Sequence, residues 1–331
     1  MARVSVGLEI GTDLIKAVEL IHRRKGYELK KLARVKIPSG KDTDTQTTAA
    51  KAIEDLFKKS RMNTKEVISG VGGNSVIVRK IEIPSMTEKE LRGAIRWEAE
   101  QYIPYPIDQV FLGFHILDKE EKLKRKKEKM SVILVGVKRE LINNHLQVLQ
   151  KADIFPKIID ANPLALFNIY KLANPEKVDG IALIEIGHDM TDLVLLNKDN
   201  PFVVRSINIG GLQITKAIAG KLNIDYAAAE EIKEKYGLLS LSEEEVESKE
   251  GEEKIERQVD YIIKKSLSDL VEEIARSFEY YSSQTERAKV KKIILSGGSS
   301  LLKNIDKFLS AELGLPVRIF NPFNSIIYNP R

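Results

Sequence analysis

The chain has 331 residues, 43% hydrophobic and 31% charged, and its 53 Lys and Arg against 48 Asp and Glu leave a net charge of +5. That length accommodates two packed cores or one large bilobed α/β unit, and the composition excludes a disordered or collagen-like chain. Cysteine is absent, which rules out disulfide scaffolds, thiolate metal sites and cysteine nucleophiles, and the small, dispersed charge excess gives no reason to expect a nucleic-acid ligand.

Met1-Ala2-Arg3-Val4-Ser5-Val6 runs straight into a strand-like segment without the sections of a signal peptide. No apolar run approaches the roughly 18 residues of a membrane helix. A soluble, cytoplasmic chain is expected. Val6-Gly7-Leu8-Glu9-Ile10-Gly11-Thr12-Asp13 reads as an apolar strand with one acid, ended by a glycine turn and followed by a second apolar run, Leu14 to Leu20. Strand, tight glycine turn and strand make a β-hairpin whose tip offers backbone amides to an anion.

Gly70-Val71-Gly72-Gly73-Asn74 precedes a strand that Pro84 ends. Thr87-Glu88-Lys89-Glu90 has the form of a capping box and opens a helix with Leu91, Ala94, Ile95, Ala99 and Tyr102 on one face, closed by Pro104. Val110 to Leu117 and Ser131 to Val137 read as strands and Arg139 to Ala152 as a helix, so residues 85–152 are expected to form an inserted β-rich module, with Trp97 packed inside it. The Lys-, Arg- and Glu-dense connector Asp118 to Met130 reads as a solvated hairpin tip. Asp160 and Asn162 precede a crossover helix, Pro163 to Leu172.

The first hairpin then has an echo. Leu183-Ile184-Glu185-Ile186-Gly187-His188-Asp189-Met190 repeats the apolar strand, the acid, Ile-Gly, a polar residue and Asp, and continues into Thr191 to Leu196. Two such hairpins, one in each half of the chain, suggest two similar lobes. After Phe202 to Gly211 come helical segments Ile214 to Leu222 and Tyr226 to Tyr236, with Gly237 as a C-cap signal. Leu241 to Gln258 is acidic and reads as a mobile connector, and Val259 to Arg287 as a long amphipathic helix. Val290 to Ser296 is a strand, Gly297-Gly298-Ser299-Ser300 a turn, and Leu301 to Leu313 a helix.

Phosphates need positive potential at close range from backbone amides, and glycine permits that approach. Gly11 with Thr12, and Gly187 with His188, are therefore placed on either side of a triphosphate. Lys16 either adds a donor to the phosphates or sits on an exposed strand face; alternation does not decide which. Glu9 and Glu185 either hold Mg²⁺ through its hydration shell or accept hydrogen bonds from turn amides. Gly297-Gly298-Ser299 would let backbone lie along a sugar or base, although a plain strand-to-helix connection explains it equally well. His22, His115, His145 and His188 lack metal-ligand spacing. There is no Gly-x-x-x-x-Gly-Lys-Ser/Thr loop, no Gly-x-Gly-x-x-Gly after a strand and no Gly-x-Ser-x-Gly elbow.

In this order the two acid-x-Gly hairpins and the strand-Gly-Gly-Ser element resemble the actin/sugar-kinase/heat-shock ATPase superfamily. Gly7-Leu8-Glu9-Ile10-Gly11-Thr12 looks more like its FtsA branch, where Glu replaces the usual Asp. Within that branch the chain resembles the PilM family of type IV pilus assembly proteins, through Ile95-x-Trp97-Glu98-Ala99-Glu100-Gln101-Tyr102-Ile103-Pro104, Asp160-Ala161-Asn162-Pro163, Asn208-Ile209-Gly210-Gly211 and Ala229-Glu230-x-x-Lys233-x-x-Tyr236-Gly237.

The resemblance implies an α/β, actin-like two-lobed fold of ribonuclease H-like sheets with flanking helices, and an FtsA-type inserted subdomain in the first lobe. Residues 1–84 and 153–177 would form the first lobe, 85–152 the inserted subdomain, 178–211 and 288–331 the second-lobe core, whose C-terminal end may return to the first lobe, and 212–287 a small helical upper subdomain. It implies ATP and Mg²⁺ as cofactors. Gly11, Thr12 and Asp13 would line the first phosphate turn and Gly187, His188 and Asp189 the second. Gly210 and Gly211 would begin the upper subdomain, Glu230 and Lys233 would contact ribose or adenine, and Gly297, Gly298 and Ser299 would hold the nucleoside from the other side.

The family binds the cytoplasmic N-terminus of the membrane-anchored PilN in a groove between the first lobe and its insert, which points to Ile77, Ile81, Ile83, Leu91 and Ile95. The chain would then be peripheral to the inner membrane through that partner, alongside other pilus platform proteins and assembly ATPases, with self-association left open. Relatives continue past the point matching Tyr328-Asn329-Pro330-Arg331 into a helix that closes the first lobe, so a less firmly closed cleft is expected. Asp160 and Asn162 are the only candidates for positioning an attacking water, so an ATP-binding scaffold with slow or no hydrolysis is favoured over a working ATPase. An FtsA-like division protein that polymerises is the alternative.

Overall fold

The computed structural model describes residues 3–24, 26–38, 44–117, 128–174, 179–197, 199–239, 252–284 and 289–328. The chain divides into two compact units, Met1–Pro175 with Pro322–Arg331, and Glu176–Asn321.

In the first unit, β1 (Val4–Ile10), β2 (Leu14–Arg23) and β3 (Gly26–Lys36) form an antiparallel meander. After α1 (Thr45–Ser60), β4 (Glu66–Val71) joins β1 in parallel, and the later β8 (Phe155–Ala161) joins β4, giving the order β3-β2-β1-β4-β8. Neither β3, α1 nor β4 is assigned in the sequence analysis. Their local signals are an alternating strand and an Asp44 side chain that caps α1 by accepting from the Gln46 amide at 3.1 Å. Alternation puts Val6, Leu8, Ile15, Ala17 and Val67 on one face, packed against α1 and against α3 (Arg139–Lys151).

Between β4 and α3 the chain adds β5 (Val76–Pro84), α2 (Glu88–Ala99), β6 (Val110–Ile116) and β7 (Lys129–Lys138). These strands form an antiparallel sheet ordered β5-β7-β6. The reading that stops the first lobe at residue 84 and assigns 85–152 to the insert therefore differs from the structure at both ends. β5 pairs with β7 of the small sheet, while α3 buries Val148 and Leu149 in the core of the first sheet. The capping box forms as its spacing predicts: the Glu90 amide donates to Thr87 Oγ1, and Glu90 Oε2 accepts from the Thr87 amide at 2.7 Å. Leu91, Ile95 and Ala99, at helical spacing, are buried beneath α2, each large apolar side chain contributing about 2 kcal/mol. Trp97 corrects the expectation set for it. It falls on the opposite side of α2 and is 73% exposed.

α4 (Asn162–Ala173) follows β8 and closes the first pass through this unit. Residues 322–328 belong to it as well: Ile327 exchanges main-chain hydrogen bonds with the β3 edge, donating to Tyr27 O at 2.8 Å and accepting from the Leu29 amide at 2.9 Å.

The second unit repeats the sheet. β9 (Ile181–Ile186), β10 (Thr191–Asn197) and β11 (Asn200–Ile207) form the meander, and β12 (Lys292–Ser296) and β13 (Val317–Ile319) add in parallel, in the order β11-β10-β9-β12-β13. α5 (Gly211–Leu222), α6 (Tyr226–Tyr236), α7 (Glu252–Gln284) and α8 (Ile305–Leu313) share one continuous core with the sheet, containing Ile184, Leu193, Ile214, Ala229, Ile263 and Leu309. Residues 252–258 of the expected connector open α7, and 241–251 lie outside the described residues. Residues 118–127 of the charged hairpin tip lie outside them too. No helix among the described residues is long and apolar enough to cross a membrane.

Candidate functional site

Each unit builds a glycine turn in the same way. In the first, Ile10 pairs with Ile15, and the Gly11 amide donates to Leu14 O at 3.0 Å across a four-residue loop. In the second, Ile186 pairs with Thr191, and the Gly187 amide donates to Met190 O at 2.8 Å across a loop of the same length. A Cβ on Gly11 would sit 2.8 Å from Leu14 O, and one on Gly187 3.0 Å from Met190 O. A side chain at Gly11 would force a main-chain shift, and one at Gly187 would be tightly crowded.

Around the first turn, the parallel strands β1, β4 and β8 end together, which is where open α/β sheets present their ligand sites. Lys16, paired with Glu9 across β1 and β2, donates to its two carboxylate oxygens at 3.0 and 3.2 Å. Of the two readings of Lys16 the structure thus adds a third, an ion pair with the candidate metal acid. Asp13 O accepts from the Ile37 amide at 2.8 Å, and the Asp13 carboxylate lies 3.7 Å from Lys36. Thr12 is exposed.

Asp160, opposite Gly70 in the register, accepts from the Ala161 amide at 2.8 Å. Burial raises its pKa, and that hydrogen bond offsets only part of the rise. The Asn162 side chain lies over Gly70 and Gly72, where a Cβ on Gly72 would meet its Nδ2 at 2.8 Å. Gly72 was not among the candidate residues. Its signal was the close glycine spacing just after an apolar run.

The second turn is stitched to two neighbours. Gly187 O accepts from the Gly211 amide at 3.0 Å and from Ser299 Oγ at 3.2 Å, and His188 O accepts from the Leu212 amide at 2.6 Å. A Cβ on Gly210 would meet His188 O at 2.6 Å, and one on Gly211 would meet Ser299 Oγ at 2.6 Å. Gly297 has φ +91°, a conformation that favours glycine. Gly210, Gly211, Gly297 and Ser299 are thereby gathered around Gly187. The helix expected from Leu301 starts later: residues 298–301 form a single 3-10 turn, and α8 begins at Ile305 after Asn304, which adopts φ 60° and breaks the helical run.

Lys233 on α6 reaches Glu230 at 2.7 Å and Thr215 Oγ1 at 2.9 Å, and lies 3.4 Å from Gly211 O. Burial raises the Glu230 pKa, but hydrogen bonds from Lys233 and Thr215 and the charges of Lys233 and His188 outweigh it, and the net shift is downward.

On the sheet itself, register aligns Ser296, Glu185, Asp192 and Ser206 in one row. Asp189 sits in the turn, partly buried, and Gly298 follows Gly297 with open space at its Cβ position. Among the described residues no three His, Asp or Glu side chains are placed to hold a metal ion. The groove candidates fare differently: Ile81, Ile83, Leu91 and Ile95 are 2%, 1%, 0% and 6% exposed in the insert's own core, and Ile77 alone is partly accessible.

Two five-stranded sheets of identical order, each closed by a glycine-turn hairpin at the same place, define the actin-like fold class. The chain belongs to the family described as type IV pilus assembly protein PilM, whose family profile matches residues 7–331. It is similar to the solved PilM-PilN type IV pilus biogenesis complex, at 30% identity over 98% of this chain and 90% of that one, with a TM-score of 0.82. The cell division protein FtsA of Staphylococcus epidermidis is 26% identical over 65% of this chain, and the match spans about half (47%) of that relative's length. MreB5 of Spiroplasma citri bound to AMPPNP shares the fold, with a TM-score of 0.53 at 16% identity.

Proposed function

We propose that this chain is an ATP-binding scaffold of the type IV pilus assembly platform, acting in the cytoplasm and reaching the inner membrane through PilN. The observation that carries the nucleotide is the pair of matched turns. Each is a tight bend in which a Cβ would crowd a main-chain oxygen, and the second is backed by Gly211, Ser299 and the Lys233–Glu230 pair. Mg²⁺ is the natural counter-ion, yet Glu9 is held by Lys16, so a hydrated cation competes with that lysine.

Two side chains favour a scaffold over an active ATPase: Asp160 is bonded to the Ala161 amide, and Asn162 lies over Gly70 and Gly72. Asp160 Oδ1 is thereby engaged by the chain's own backbone. For PilN, the burial of Ile81, Ile83, Leu91 and Ile95 argues against a peptide groove beneath α2 and supports a surface near Ile77.

Titration calorimetry with Mg-ATP on Gly11→Val and Gly187→Val tests the nucleotide reading. Binding falls at least 100-fold in each, with circular dichroism unchanged; ordinary affinity in both variants refutes it. Co-purification with the PilN N-terminal peptide against a division-ring tail peptide separates a pilus role from an FtsA-like one.

A further inference from the structure

A strand at the edge of a sheet exposes unpaired N–H and C=O groups, and natural proteins blunt such edges with charge, proline, bulges or shortness. Among the described residues six strands are edges. β3 carries Lys30, Lys31, Arg34 and Lys36 and a register shift; β8 carries Pro156, Lys157 and a shift; β11 carries Pro201, Arg205 and a neighbouring shift. β5 carries Arg79, Glu82 and Pro84, and β13 has three residues. β6, Val-Phe-Leu-Gly-Phe-His-Ile, has none of these devices: it has seven residues, no Asp, Glu, Lys, Arg or proline, and unbroken register with β7.

The free side of β6 can be read residue by residue. The Leu117 amide donates to Ser131 O at 3.0 Å, and antiparallel alternation then turns Gly113 and His115 toward β7 while Leu112, Phe114 and Ile116 direct their main-chain groups outward. Phe111 is 41% exposed, Gly113 and His115 are exposed, and a Cβ on Gly113 would meet nothing within 4 Å. Arg139 and Arg92 lie over the Phe111 and Phe114 rings, at 4.2 and 5.4 Å, and so shelter ring faces rather than the edge.

We propose that β6 pairs with β6 of a second copy of this chain, antiparallel about Gly113. The strand's own composition identifies the occupant. Reversed about Gly113, Leu112 meets Phe114 of the second copy, Phe111 meets His115, and Val110 meets Ile116: apolar against apolar or aromatic against imidazole, with no like charges opposed. The outward-facing main-chain groups of Leu112 and Phe114 fall opposite one another in this register. Gly113 faces Gly113 at the two-fold axis, where facing Cα atoms lie closest. The product is a six-stranded sheet with an isologous interface. A single strand edge buries little area, so the dimer is reversible, with a dissociation constant of roughly micromolar or weaker.

The chain contains no cysteine, which makes a crosslinking test direct. Facing Cα atoms of a non-hydrogen-bonded pair lie about 4.5 Å apart, within disulfide reach, so Gly113→Cys forms a covalent dimer under mild oxidation. The two copies of His115→Cys would lie about 13 Å apart and stay unlinked. Sedimentation velocity from about 1 to about 300 µM shows wild-type dimer at the upper end. Phe111→Lys with His115→Lys opposes like charges and weakens it at least tenfold, and Phe111→Glu with His115→Lys restores it. A wild-type chain that stays monomeric throughout overturns the proposal. So does Gly113→Cys linking no faster than His115→Cys, or a Lys/Lys variant that dimerises like wild type.

Discussion

The two sheets share strand order and turn geometry, yet their faces are used differently. In the second, β9 and β10 are buried at every position from Ile181 to Leu196 that lies in a strand, Glu185 excepted. In the first, β1 and β2 alternate, and the face away from α1 and α3 leaves Leu32 61%, Ile68 40% and Ile158 55% exposed. The sequences differ accordingly. Ile-Ala-Leu-Ile-Glu-Ile is a near-continuous apolar run, as in sheets covered on both faces, while Val-Ser-Val-Gly-Leu-Glu-Ile alternates. One hairpin design therefore sits in two environments. The acid of the first turn faces a lysine it can pair with, whereas the acid of the second belongs to a row containing the buried Asp192.

The largest effect that would sharpen this contrast comes from truncating one apolar position in each sheet. Leu193→Ala, on β10, is expected to cost about 2–5 kcal/mol in urea unfolding, whereas Leu32→Ala, on β3, stays within about 0.5 kcal/mol. Equal losses would dissolve the distinction between the two sheets.

Asp192 supplies an intermediate test. Burial holds its carboxyl above the ordinary value, with the Ser206 hydrogen bond at 2.5 Å pulling the other way. Between the unfolded and folded pKa values the folded chain retains a proton that the unfolded chain has lost. Stability therefore falls as pH rises through that window and stays at the lower level above it. Asp192→Asn is expected to stabilise the chain by about 1 kcal/mol at neutral pH, an advantage that disappears on acidification below the ordinary carboxylate range. A variant less stable at neutral pH would mean that the charged form is the favoured one.

The smallest effect belongs to Trp97. Its exposure predicts that Trp97→Ala changes stability by less than about 0.5 kcal/mol. As the sole tryptophan, it should also emit as indole in water does in the native wild-type chain. A blue-shifted native spectrum would place the ring in an apolar contact.

Local signals settled much of this chain. Alternation, the Thr87 capping box, the Gly237 C-cap and the echo of Glu9-Ile10-Gly11 in Glu185-Ile186-Gly187 depend on residues a few positions apart, so they are legible in the sequence alone. What the linear order did not hold is which of several apolar surfaces meets which. Trp97 and Ile95 are two residues apart, but α2 can bury only one stripe, and the β5-β7-β6 sheet selected the one containing Ile95. Likewise Lys16 and Glu9 became partners through hairpin register, Asn162 came to rest on Gly70 and Gly72 through β4–β8 pairing, and α3 left the insert to fill the first core. Periodicity announces that a face will be buried; only the packed chain assigns its cover, because burial is a property of the neighbours brought in from far along the sequence.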